Sequence, residues 1–75
     1  MEQLKRLARE DGGMECKIQL KAGLVSRKHI SYDGELFYVH NYIDETRQTL
    51  TEKELMNRDH TNVGSAMEKG ALIKE

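Results

Sequence analysis

From Met14 to Ala22, apolar and polar residues alternate at every position: Met14, Cys16, Ile18, Leu20 and Ala22 against Glu15, Lys17, Gln19 and Lys21. Side chains on a strand point to opposite faces in turn, so this run reads as a half-buried β-strand with one core face and one wet face. The run commits the chain to a sheet and asks the remaining residues for partner strands.

Those partners are legible downstream. A second strand is expected from Leu24 to Tyr32, then a hairpin at Asp33-Gly34, because tight primed turns need the positive φ that Gly, Asp and Asn tolerate. A third strand follows from Glu35 to Asp44, rich in aromatic and β-branched residues. A two-residue turn sets Tyr32 opposite Glu35, Ile30 opposite Phe37, His29 opposite Tyr38 and Leu24 opposite Ile43. One face then carries Leu24, Ile30, Phe37, Val39 and Ile43 as a core face. The other carries Val25, Arg27, His29, Leu36, Tyr38, His40 and Tyr42. A three-residue turn with a bulge would shift this pairing.

Asp44 to Thr46 reads as the next turn, leading into a short strand from Arg47 to Leu50. Thr51 and Glu54 then match a capping box, with Leu50 and Leu55 spaced as a hydrophobic staple, so a helix starts at Glu52. The stretch 57–60 carries no helical apolar stripe, and Thr61 or Asn62 offers a fresh cap. A second helix places Val63, Ala66 and Met67 on one face and ends at Gly70. Ala71 to Ile73 can add a last short strand. The expected class is α+β: an antiparallel meander of three to four strands followed by two short C-terminal helices lying over one face. A small SH3-like barrel with a helical insertion is the alternative.

Residues 1–13 differ from this single domain of residues 14–75. Leu4, Leu7 and Ala8 make a thin apolar stripe, on a segment at the ~12-residue limit below which isolated helices fail. A frayed terminal helix and disorder are the two structural expectations. A third comes from translation: Arg9-Glu10-Asp11 is encodable by a purine-rich ribosome-binding sequence suitably placed before the Met14 codon, which would make the first residues a translated leader.

With 75 residues and one cysteine, the chain has no internal disulfide and no cysteine-rich zinc site to stabilise it. Homodimerisation through sheet edges or an apolar patch is the expected way to bury more surface. The net charge of −1 argues for neither nucleic acid nor membrane from bulk electrostatics. No apolar run approaches the ~20 residues of a membrane-spanning helix, and no signal-peptide apolar region is present, so a cytoplasmic location is expected.

The C-terminal half resembles a known group. Tyr42-Ile43-Asp44, Gln48-Thr49-Leu50-Thr51-Glu52 with Glu54-Leu55, Thr61-Asn62-Val63-Gly64 and the ending Glu68-Lys69-Gly70-Ala71-Leu72-Ile73 are similar to small uncharacterised Firmicutes prophage and mobile-element proteins. The resemblance covers the chain from about Met14 onward once the hairpin is included. It is a pattern of structural residues. It implies a phage-type accessory protein and transfers no functional residues.

The residues themselves offer little catalytic chemistry. Cys16 lies on an apolar strand face, where a thiol is a small buried hydrophobe. His29, His40 and His60 lack the spacing of a three-ligand zinc site, so neither metal nor cofactor is expected. Ser26, Ser31 and Ser65 lack an activating motif, and no Gly-rich phosphate loop exists. Gly64-Ser65 at the second helix start is read as close packing of helix on sheet rather than as an anion site.

One constellation stands out. Arg27, His29, Tyr38, His40 and Tyr42 interleave aromatic and cationic groups on one sheet face, extended by Lys17 and Lys21 if the first strand is adjacent. Such faces stack single-stranded bases, and residues 14–34 carry four basic against two acidic groups. Residues 35–75 carry five basic against eight acidic groups, which repel phosphate. Tyrosine is equally at home in protein interfaces. The leading expectation is a non-enzymatic, homodimeric protein-interaction module with a host or phage protein as partner. A small nucleic-acid-binding protein using the same face is the alternative.

Overall fold

The computed structural model describes residues 2–57 and 60–75. Its elements run α1 (Glu2–Arg9), β1 (Met14–Gln19), β2 (Val25–Tyr32), β3 (Phe37–Asn41), β4 (Thr46–Leu50), α2 (Glu52–Met56), α3 (Val63–Lys69) and β5 (Leu72–Lys74). The strands form one antiparallel sheet in the order β4-β3-β2-β1-β5. The class is α+β. Because β4 and β5 occupy opposite edges, the sheet is open rather than the barrel considered as its alternative.

The alternation at Met14 produces β1, with Met14, Cys16 and Ile18 buried. It stops at Gln19, earlier than the pattern suggests. Leu20 N–H bonds Leu24 O at 2.8 Å, and a 3-10 turn over Lys21–Gly23, with Ala22 at φ +61°, reverses the chain.

The hairpin between β2 and β3 corrects the expected register. Asp33 Oδ1 accepts the backbone N–H groups of Glu35 and Leu36, each at 2.8 Å, and Asp33 N–H reaches Leu36 O at 3.2 Å. The connection is therefore four residues long, and Tyr32 pairs with Phe37, Ile30 with Val39 and His29 with His40. The pairing moves by two positions. An even shift keeps every side chain on its face, whereas a shift of one would have inverted them all. Ile30, Phe37 and Val39 are accordingly buried. Leu24 and Ile43, expected in the same core face, are exposed because both lie beyond the strand ends.

All three helices cover one face of this sheet. Leu4 and Ala8 of α1, Leu55 of α2, and Val63 and Ala66 of α3 join Met14, Cys16, Ile18, Ile30, Phe37, Val39 and Leu50 in one core. Where a frayed helix or disorder was expected, residues Glu2–Arg9 form α1. A helix too short to stand alone is held by burying Leu4 and Ala8, with the Lys5 ammonium 2.5 Å from the Glu52 carboxylate.

Helix α2 starts where the capping box places it. Thr51 Oγ1 accepts Glu54 N–H at 3.2 Å, the Glu54 carboxylate accepts Thr51 N–H at 2.9 Å, and Leu50 and Leu55 are buried. Of the predicted break over 57–60, residues 58 and 59 lie outside the described residues. Asn57 leaves α2 with extended backbone. Before α3, Thr61 Oγ1 accepts Val63 N–H at 3.0 Å and donates to Leu55 O at 3.0 Å, tying the two helices together. Gly70, left-handed at φ +70°, ends α3, and β5 returns to pair with β1. No described helix is long and apolar enough to cross a membrane.

Candidate interaction face of the sheet

With the helices on one side, the opposite side of the sheet is left open, and the pleat decides what it displays. Register places Glu15, His29, His40 and Arg47 directly opposite one another across β1, β2, β3 and β4. Beside them run a row of Ser31, Tyr38 and Thr49 and a row of Ile73, Lys17 and Arg27. Six of the predicted site residues, Lys17, Arg27, His29, Tyr38, His40 and Tyr42, thus share this side. Lys21 does not: it sits in the turn past the end of β1, so it leaves the strand's wet face. His29 faces His40, and Ser31 takes the place opposite Tyr38.

Glu15 holds the row together. Its carboxylate lies 2.7 Å from His29 Nδ1, and both its oxygens accept from Tyr42 OH at 2.8 Å. His29 Nε2 lies 3.0 Å from Gly12 O. Carboxylate and carbonyl oxygens only accept, so the ring makes both bonds when each nitrogen carries a proton. The hydrogen bonds from His29 and then Tyr42 hold the Glu15 carboxyl below the usual range, and Glu15 in return raises the Tyr42 phenol. Close passage of His29 depends on Gly13, where a Cβ would lie 2.5 Å from Nε2 and 2.8 Å from Ile30 O.

The other polar groups are similarly engaged. His40 Nε2 lies 3.1 Å from Glu45 Oε2, and its ring meets Tyr42 edge-on at 4.7 Å. Tyr38 OH donates to Asp33 Oδ2 at 2.7 Å, which raises the Tyr38 phenol and contributes to lowering Asp33. Arg27 Nε donates to Glu75 Oε1 at 3.1 Å. Among the described residues, Lys17 and Arg47 are the cations of this face without an ion pair. A shallow depression of about 340 Å³ lies at its centre, lined by His29, Ser31, Tyr38, His40, Arg47 and Thr49 together with Val39 and Gln48.

Sequence reasoning passed over Glu15, Glu45, Glu75 and Arg47 as members of this surface. For Arg47 the signal was present, since placing Leu50 inward forces Thr49 and Arg47 outward. The carboxylates needed the cross-strand register. Lys28 was also missed. It is buried on the core side of β2 and donates to Asn41 Oδ1, while Asn41 Nδ2 donates to Thr46 Oγ1 at 3.1 Å and Gln48 Oε1 at 3.3 Å. Desolvation lowers its pKa from the usual lysine value.

Other candidates have structural accounts. Cys16 is buried, and desolvation pushes its thiol up to about 11, which keeps it protonated at neutral pH. Among the described residues no cluster of three His, Cys, Asp or Glu side chains is placed to hold a metal ion. Gly64 does permit close packing, but against α2 rather than the sheet: a Cβ there would lie 2.8 Å from Met56 Cα. Compared with protein-family models, curated proteins and solved structures, the chain matches none.

Proposed function

We propose that this protein is a non-catalytic interaction module of the cytoplasm that docks a protein partner on the open face of its sheet. The observation that carries this reading is the charge pairing of that face. Glu75 sits on Arg27, Glu15 on His29 and Glu45 on His40, so the aromatic and cationic groups carry no large positive excess. A phosphate backbone needs such an excess, because its affinity comes from cations that displace counterions. A polar, hydrogen-bonded surface with half-exposed Tyr38 and unpaired Arg47 instead matches the composition of protein interfaces, where Tyr and Arg are enriched. The partner's surface would supply a carboxylate to Arg47 and Lys17 and an apolar or aromatic group to the central depression.

A photo-crosslinking residue at Tyr38 tests this. It should join a discrete cellular protein, and the product should vanish when Arg47→Ala is added and be absent when the label sits at Lys53 on the helical side. Labelling that is equal at Tyr38 and Lys53 would sink the proposal. Low-salt binding of a fluorescent single-stranded oligonucleotide, lost in Arg27→Ala with Tyr38→Ala, would replace it with nucleic-acid recognition.

A further inference from the structure

Two hairpin tips lie side by side at one end of the sheet. The turn between β1 and β2 occupies positions 20–24. Strand β3 returns alongside β2 until Asn41 faces Lys28 and Tyr42 N–H bonds Arg27 O at 3.1 Å, so the β3–β4 turn arrives at the same end. Each tip exposes large aliphatic side chains where solvent-facing turns usually present polar ones. Leu20 is 41 % exposed, Leu24 64 % and Ile43 70 %, and among the described residues the remaining large hydrophobic this exposed is Tyr38, on the open face. The charges of the two tips are opposite: Lys21 on the first, Asp44 and Glu45 on the second.

We infer that a second copy of this chain docks here, end to end. A two-fold axis normal to the sheet, passing just beyond the tips, reverses both the strand direction and the left-right order of the tips. The β1–β2 tip of one copy then meets the β3–β4 tip of the other. Leu24 faces the partner's Ile43, Lys21 faces the partner's acidic turn, and symmetry makes each contact twice. Isolated, the same residues leave aliphatic side chains in water. The arrangement keeps the two open faces on the same side, giving one continuous surface, but it rests on the tips alone and stands whatever that face binds. A contact confined to hairpin tips belongs with interfaces below roughly 1,200 Å², so association is weak and reversible.

Sedimentation velocity over a concentration series is the test. The wild-type mass should rise from monomer toward dimer with concentration, while Leu24→Ser with Ile43→Ser stays monomeric throughout. Both positions are exposed, and an unchanged melting temperature confirms that the double variant folds. Lys21→Glu should weaken association at least several-fold, and adding Glu45→Lys should restore it in low salt. Asp44 is left alone because its Oδ1 accepts from Thr46 Oγ1 at 2.7 Å and shapes the turn. A wild-type monomer at every concentration, a dimer that survives the Leu24/Ile43 double substitution, or a charge swap that fails to restore association would each overturn the inference.

Discussion

Glu15 joins three segments of chain that are remote in sequence, through His29 on β2 and Tyr42 beyond β3. Its folded pKa is depressed, so its contribution to stability is present above the ordinary glutamate range and is lost as pH falls through the folded value. Half-exposure of the carboxylate and solvent screening keep that contribution small. Glu15→Gln should therefore lower the melting temperature slightly at pH 7 and converge with wild type in acid, flattening the acid limb below about pH 4.5. Equal acid sensitivity in the variant would remove Glu15 from this role. Lys28 gives the same sense of pH dependence from the opposite cause. Burial disfavours its charged form, so the folded state gains stability as pH rises from the folded pKa toward the unfolded one.

Short elements here depend on local devices and close contacts. A helix of five residues cannot nucleate alone, so α2 relies on the capping box and on burial of Leu55. Thr51→Ala should cost about 1 kcal/mol in urea melts. Gly64 gives a sharper test because two effects oppose each other. Helix propensity favours alanine over glycine by about 1 kcal/mol. Against that, the added Cβ would lie 2.8 Å from Met56 Cα and 3.1 Å from Met56 O, backbone atoms that cannot swing aside. The clash wins, and Gly64→Ala should destabilise by at least about 1 kcal/mol, as overpacking does. A stabilised variant would show that α2 and α3 pack less closely than described.

For the molecule as a whole, α1 is part of the core. A 75-residue domain has roughly 4–11 kcal/mol of stability in total, at the usual 0.05–0.15 kcal/mol per residue. Leu4 is 3 % exposed, and Leu4→Ala should cost about 2–5 kcal/mol, a large share of that total. A calorimetric scan should show the melting temperature drop by about 8 °C or more, at roughly 4–8 °C per kcal/mol for a domain of this size. A drop of only a degree or two would mean that α1 merely rests on the sheet.

The alternation in β1, the capping box before α2, the glycine after α3 and the in-out parity of Tyr38 and His40 were all readable, because each is fixed by residues a few positions apart. By itself, then, the sequence determined where β1 to β4, α2 and α3 lie to within a few residues, and the in-out parity of side chains within those strands. The tertiary structure decided the rest. It set the four-residue connection that puts His29 opposite His40, the docking of α1, the pairing of β5 with β1, and the placing of Glu75, Glu15 and Glu45 against Arg27, His29 and His40 of the open face. The reason is physical: a cap and the in-out parity of one strand are set within a few residues, whereas register and burial are sums over partners distant in the chain.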